Sequence, residues 1–226
     1  MVENYASNNS TIVFTSLHDN NYQGLADITL TKNKNVYCKK NNYQLIVKTD
    51  NWQNIPIGYE KAYLIETAFE MYPQCEWVFF SECDTLITNM TIKLEDVIRN
   101  EQKHFVITTD VNGINSGSFF VKNSIEGRGF LEAMKNSIGK YANEQHFIID
   151  SYFGKGDFKH IMSLYPQKSF NSYDYHLYGD NYSTGLDIQG NNGRWEYGDF
   201  IIHFPGLSYE YRLCLADYYL SQVINV

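Results

Sequence analysis

The 226-residue chain has no C-x-x-C pair. Its four cysteines, Cys38, Cys75, Cys83 and Cys214, are scattered, which excludes a zinc knuckle and a thioredoxin-like site. In a chain of this size they read as free thiols in a reducing compartment. There is no basic cluster either: 18 Lys and Arg residues stand against 26 Asp and Glu, for a formal net charge of −8. Nucleic acid would meet no electrostatic attraction and is excluded as a partner. No apolar run is long enough to span a membrane, and Met1 to Ser10 is too polar for a signal peptide. Internal repeats, low-complexity tracts and an interdomain linker are also missing, so one domain over 1–226 is expected.

What is present is a core and many rings. The chain is 43% hydrophobic and only 19% charged, with 19 Tyr and 14 Phe, enough apolar surface to fold without help. A tyrosine ring offers sugars an apolar face and a polar tip, although for any single Tyr a place in the core is the simpler reading. The most informative stretch is Glu76-Trp77-Val78-Phe79-Phe80-Ser81-Glu82-Cys83-Asp84. An aromatic run of the kind that makes a buried strand ends in two carboxylates spaced one apart. Burying an unpaired carboxylate is costly, so such a strand implies a cation at its tip. Oxygen ligands suit hard ions such as Mn²⁺ or Mg²⁺, and these in turn suit phosphate.

Strands are expected at Thr11–Ser16, Tyr43–Lys48, the run ending at Glu82 and Asp84, His104–Thr108, Gly117–Val121 and Asp199–Phe204. Helices are expected at Tyr59–Tyr72, where Ala62, Ile65, Ala68, Phe69 and Tyr72 form a stripe closed by Pro73, and at Ile92–Asn100, Ser124–Gly139, Asn143–Tyr152 and Ser208–Val223. Leu25–Asn41 has mixed propensity and reads as helical toward its end. Asp110–Ser116 reads as a turn, and the polar Asp174–Gly198 loop, long for a structureless one, as a lid or short hairpin. Strands alternating with helices give an α/β sandwich with a largely parallel sheet flanked by helices. In such sheets the ligand lies beyond the carboxyl ends of the strands, where Thr15, Ser16, Glu82, Asp84 and His203 fall.

Each candidate has a plainer alternative. Glu82 and Asp84, two apart on a strand, share a face and could meet one ion; they could also be solvated acids at a strand end. His203, ending Ile201-Ile202-His203, could be a third ligand through a neutral nitrogen, or a core histidine bonded to backbone, the commoner case. Asn115, Ser116 and Gly117 suit recognition of sugar hydroxyls, or an ordinary turn. Glu144 and Gln145 open a helix, where an acid is favoured by the dipole alone. Lys61 could reach a diphosphate, or simply be solvated.

Taken in order, these segments resemble glycosyltransferase family 34, the galactosyl/mannosyl/xylosyltransferase group with a GT-A (Rossmann-like) fold. The resemblance rests on Asn33-Lys34 with Tyr37, Glu60-Lys61, Tyr72-Pro73, residues 76–84, residues 114–124, Glu144-Gln145, Asn171-Ser172-Tyr173 and residues 198–206. It implies a nucleotide-sugar donor, UDP-linked ahead of GDP-linked, a glycan or glycoconjugate acceptor, Mn²⁺ (or Mg²⁺), and transfer with retention to an α-linkage. Carried over by position, Asp84 and His203 become metal ligands, and Glu82 contacts ribose or the metal. Thr15 and Ser16 border the nucleotide, Lys61 and Gly206 lie near the diphosphate, and Asn115, Ser116 and Gly117 face the sugar. Gln145 approaches the reacting carbon, with Glu144 as the one candidate nucleophile for a double displacement. Three positions depart from the pattern: Glu82 replaces an Asp, Glu144 stands where Asp is common, and Pro205 where a small residue is usual. Many eukaryotic members carry an N-terminal membrane anchor. Without one, the expectation is a soluble cytoplasmic enzyme of bacterial or viral type, or a catalytic piece lacking its anchor. A metal-dependent nucleotide-sugar hydrolase and a carbohydrate-binding module without chemistry are the competing readings.

Overall fold

The computed structural model describes residues 2–5, 11–49, 54–178 and 184–225; residues 6–10 and, within the long polar loop, 179–183 lie outside the described residues. The strands are β1 (Val2–Tyr5), β2 (Ile12–Leu17), β3 (Gln44–Lys48), β4 (Trp77–Ser81), β5 (Thr85–Ile87), β6 (Phe105–Asp110), β7 (Gly113–Lys122), β8 (Met162–Tyr165) and β9 (Ile201–His203). All but β5 and β9 form one sheet in the order β1-β3-β2-β4-β7-β6-β8. In it β2, β3, β4, β6 and β8 run one way, and β1 and β7 run against them.

Alternation along the strands splits the core into two layers. Phe14, Leu45, Phe79 and Phe120 face one side; Val13, Ile46, Val78, Phe80 and Phe119 face the other. Helices α1 (Gln23–Ala26), α2 (Asn35–Asn41), α3 (Glu60–Met71), α4 (Leu94–Val97), α5 (Ile125–Lys135), α6 (Glu144–Ile149) and α7 (Tyr209–Leu220) cover both. The first layer is closed by α1, α2 and α7, the second by α3, α5 and α6. A mixed α/β architecture with a mainly parallel sheet between helices is the one the alternating pattern requires.

Several local readings need correction. Residues 23–41 are helical throughout, because a π-helical segment, Asp27–Lys34, joins α1 to α2. Buried residues recur in pairs, Leu25/Ala26, Thr29/Leu30, Asn33/Lys34 and Tyr37/Cys38. That four-residue repeat is longer than an α-helical turn, and the wider π turns accommodate it. β4 ends at Ser81, so Glu82–Asp84 form a turn between β4 and β5 rather than the tip of a strand. The expected Asp110–Ser116 turn is shorter: β6 and β7 pair up to Asp110 opposite Gly113. β8 has no counterpart among the sequence expectations; it is a half-buried edge strand with little patterning. Within the polar loop, Leu186 bridges Asn192 in antiparallel fashion, a short hairpin contact.

Two features of the sheet place the site. Ile107 pairs with Phe119 but its neighbour Thr108 pairs with Asn115, so Ser116, Gly117 and Ser118 bulge out of the β6–β7 ladder. Separately, β9 pairs antiparallel with β5, setting His203 opposite Thr85 and beside the acidic turn.

Candidate active site

The turn after β4 is held from beneath by the π-helical segment. Asn33 bonds both backbone groups of Ile87, donating to its carbonyl and accepting from its N–H, each at 2.8 Å. The fully buried Lys34 amine donates to the carbonyls of Glu82 at 2.9 Å and Thr85 at 2.7 Å. Phe204 N–H donates to Asp84 O at 3.0 Å and His203 N–H to Ser172 O at 2.9 Å. A segment that would otherwise carry unpaired carbonyls is thereby fixed on both edges.

Ligand atoms of Glu82, Asp84 and His203 converge within 4.8 Å of one another. His203 Nε2 lies 3.3 Å from Asp84 Oδ1 and 3.7 Å from Glu82 Oε2. The proton on the ring is assigned by a chain of bonds. Tyr173 donates to Asp110 Oδ2 at 2.8 Å, so its oxygen accepts from Asn171 Nδ2 at 3.5 Å; Asn171 Oδ1 then faces His203 Nδ1 at 2.7 Å. Nδ1 therefore carries a proton for Asn171, and Nε2 is the ring atom turned toward the two carboxylates. That nitrogen is buried without a hydrogen-bond partner. An imidazole nitrogen aimed at two carboxylates, with the second ring nitrogen anchored, is the arrangement a divalent cation needs. The residues therefore fit a metal of the Mn²⁺ or Mg²⁺ kind in donor type. Gly117 makes room: a Cβ there would lie 2.3 Å from His203 Cε1.

Lys61 ties the acids to the bulge. Its buried amine donates to Glu82 Oε1 and Glu144 Oε1, both at 2.6 Å, and to Ser116 O at 3.0 Å. Its donors are thus spent behind Glu82, and its link to any ligand runs through that residue. Burial would raise the Glu144 pKa, but the charge and hydrogen bond of Lys61, with the Ser116 hydroxyl, hold it below the ordinary carboxylate range. Ser116 N–H donates to Gln145 Oε1 at 3.0 Å, leaving the Gln145 amide nitrogen for a ligand.

Two cavities meet at the acidic turn. One, about 450 Å³, is lined by Asp110, Asn115, Gly117, Gln145, Tyr173, Tyr178, His203 and Gly206, with Glu82 at its edge. Gly206 sits at φ +70°, a backbone state that glycine adopts without strain. The other, about 300 Å³, is lined by Leu17, His18, Asp19, Tyr22, Glu82, Asp84 and Arg212. The expected Thr15 and Ser16 are not in its lining: their hydroxyls turn onto β4, donating to Phe79 O at 3.4 Å and Ser81 O at 2.6 Å. The next residues, Leu17 to Asp19, are where β2 ends: Leu17 is its last residue, opposite Lys48 of β3. Glu144 likewise faces Lys61 and Ser116, outside the lining of the larger cavity. Asp110, Tyr178, His18, Tyr22 and Arg212 have no signal of their own in the sequence; an isolated Arg in a helix reads as solvated.

An α/β sandwich with an acid-x-acid turn after its fourth strand and a histidine returned to it by a later strand defines the GT-A class of glycosyltransferase folds. Solved structures agree. A glycosyltransferase involved in glycosylation of the major capsid of PBCV-1 superposes with a TM-score of 0.72 over 92% of this chain and 98% of its own, at 15% identity. The galactosyltransferase LgtC, solved with donor and acceptor sugar analogs, gives 0.54 over 94% and 96% at 12% identity. The chain belongs to the galactosyl transferase GMA12/MNN10 family, whose sequence model matches residues 6–102 and 97–213. An alpha-1,2-galactosyltransferase of Schizosaccharomyces pombe is 24% identical over 224 residues, 80% of this chain and 56% of the relative. The chain thus spans a little over half the length of that curated relative. All four cysteines are free, and among the described residues no helix is long and apolar enough to cross a membrane.

Proposed function

We propose that the protein is a metal-dependent retaining glycosyltransferase acting as a single domain. It moves a hexose or pentose from a nucleotide-sugar, UDP-linked in the first instance, to a hydroxyl of a glycan, forming an α-linkage. One observation carries the reading: the orphaned Nε2 of His203 aimed at Glu82 and Asp84 on the seam between two cavities. Family membership and the alpha-1,2-galactosyltransferase relative support the transferred group being a hexose.

Asp84, His203 and Glu82 would hold Mn²⁺ (or Mg²⁺), which when bound supplies positive charge against the donor's two phosphates as the nucleoside diphosphate departs. The smaller cavity takes the nucleotide and the larger one the sugar. Asn115 and Gly117 border the sugar, with Gly206 near the diphosphate, while Ser116 stands behind them and holds Gln145, Glu144 and Lys61. Lys61 acts through Glu82, fixing that carboxylate in one orientation. Gln145, its carbonyl pinned by Ser116 N–H, keeps its amide N–H groups to donate to the acceptor hydroxyl and so orient it beside the reacting carbon. The acceptor hydroxyl attacks on the face that the leaving group vacates, and the departing phosphate oxygen takes its proton, so no side-chain base is required. The Lys61 and Ser116 bonds hold Glu144 away from the sugar cavity, which weighs against a covalent intermediate on that residue.

The test is product analysis with UDP-sugars and Mn²⁺, with and without a sugar acceptor. Transfer should require the acceptor and vanish with chelator. Asp84→Asn should lower it at least about 10²-fold while circular dichroism shows the fold kept. Release of free sugar at the same rate without acceptor would make the protein a hydrolase. Glycan binding indifferent to metal and nucleotide would make it a binding module.

A further inference from the structure

The smaller cavity has an unusual charge balance. Asp19, Glu82 and Asp84 line it, and among its lining residues Arg212 alone carries a permanent positive charge. Lys34 and Lys61, the other cations near the acidic turn, are not in the lining and give their hydrogen bonds to Glu82, Thr85, Ser116 and Glu144. An anion entering here would find one cation within direct reach.

Arg212 is built in rather than draped. It lies in α7, whose first turn is capped by Ser208 Oγ accepting from Tyr211 N–H. Its Nε donates to Phe204 O at 2.9 Å and Nη1 to the Tyr22 hydroxyl at 3.0 Å. The guanidinium stands 5.8 Å from the Tyr22 ring centroid. Nη2 meets Asp84 Oδ2 at 3.2 Å, while the other oxygen of Asp84 faces His203. A guanidinium has five N–H donors; Nε and Nη1 each give one to a protein hydrogen bond and Nη2 faces Asp84, which leaves two on a residue that lines the cavity. A planar guanidinium with donors to spare suits phosphate oxygens.

We propose that Arg212 binds the diphosphate of the donor, and that without metal it serves as the counter-ion of Asp84. The inference rests on the nucleotide-donor reading above and assigns this cavity's anion-binding group. Two opposite couplings follow. With no nucleotide, Arg212 and a divalent cation compete for Asp84, because both are positive and both lie against its carboxylate. With a diphosphate present, Arg212 and the cation would each have an anion to meet, and competition would give way to joint binding.

Calorimetric titration of Mn²⁺ alone, and of UDP, GDP and uridine at saturating Mn²⁺, tests this on wild type, Arg212→Gln and Arg212→Lys. Thermal unfolding confirms that each variant is folded. Arg212→Gln should bind Mn²⁺ alone more tightly than wild type, yet bind the preferred nucleoside diphosphate at least about 10-fold more weakly. Uridine, lacking phosphate, should change less than about 2-fold, since a group that meets only phosphate adds nothing to nucleoside affinity. Arg212→Lys, which keeps the charge without the planar guanidinium, should fall between. Equal diphosphate affinity in Arg212→Gln, or an equal loss for uridine, overturns the phosphate assignment. Weaker Mn²⁺ binding in Arg212→Gln overturns the counter-ion role. If wild type itself binds neither UDP nor GDP with Mn²⁺, the donor reading falls, whatever the variants do.

Discussion

The first turn of α3 carries two buried charges, Glu60 and Lys61, and they have opposite surroundings. Glu60 pairs with Lys48 of β3, and both side chains are 1% exposed. Lys61, one residue on, pairs with Glu144 and with Glu82, and Glu82 remains 32% exposed at the mouth of both cavities. The chemistry is the same, a lysine and glutamates taken out of water. What differs is the far side of the carboxylate. Glu60 is sealed in protein, and its pair joins strand to helix. Glu82 passes the charge arrangement on to whatever sits between it, Asp84 and His203. A buried ion pair is weak evidence for function; a buried ion pair with one acid open to a cavity and, 3.7 Å from it, an imidazole nitrogen without a hydrogen-bond partner is much better evidence.

Breaking each pair separates the two roles. Lys61→Met leaves Glu82 and Glu144 without their cation, and should cost about 3–5 kcal/mol in urea unfolding. It should also abolish donor binding with Mn²⁺. Lys48→Met should cost about as much stability by the same argument, while the folded protein keeps its affinity for UDP. Replacing both partners with apolar residues, Lys48→Met with Glu60→Leu, should restore most of the loss, since a well-packed apolar pair often equals a buried ionic one. Lys61→Met with Glu144→Leu should not be rescued, because Glu82 still lacks its partner. Equal damage to UDP affinity from Lys48→Met would erase the distinction.

Two glycines sharpen the contrast at smaller amplitude. A Cβ on Gly117 would stand 2.3 Å from His203 Cε1, and one on Gly193 would stand 2.0 Å from Gln167 Oε1. Each alanine forces a neighbour to move, at about 1–3 kcal/mol. Only Gly117→Ala should weaken Mn²⁺ binding, by about 10-fold or more as an imidazole ligand is displaced. Gly193→Ala should leave metal affinity unchanged. A calorimetric Mn²⁺ titration of both variants decides it.

These contrasts show what the sequence could reveal. The aromatic run into Glu82 and Asp84, and the apolar strand into His203, were legible because a buried strand ending in polar ligands breaks the usual burial rule. The alternation of strands and helices was legible because period two and period 3.6 differ sharply. The π-helical segment was not, since its four-residue repeat matches neither period. Thr15 and Ser16 were displaced by about two residues from the cavity because strand ends cannot be fixed from propensity. Arg212, Asp110 and Tyr22 reach the two cavities only through the tertiary fold, and no local spacing announces them. The Lys61 contacts were hidden for the same reason: a lysine opening a helix looks solvated until Glu82 and Glu144 close over it.

Lys34 supplies the smallest and most particular test. Full burial lowers its pKa to about 8, against the opposing pull of the Cys83 and Asp84 side chains, whereas an exposed lysine titrates near 10.4. Between those values the unfolded chain holds more protons than the folded one, so the Lys34 contribution to stability rises with pH across that window. The neutral amine keeps two N–H groups, enough for both carbonyls it serves at Glu82 and Thr85. Burial also opposes the charge on Lys61, but the Glu144 and Glu82 carboxylates outweigh it and hold that amine above the ordinary lysine range. A raised pKa leaves its contribution fully present below the unfolded value, so it stays level from pH 7 to pH 10. The stability gap between wild type and Lys34→Met should therefore widen from pH 7 to pH 10, while the gap for Lys61→Met stays flat. A Lys34 gap that narrows instead would mean that the carboxylates of the turn keep this amine charged, and that the turn is held by ion pairing as well as by its two carbonyl bonds.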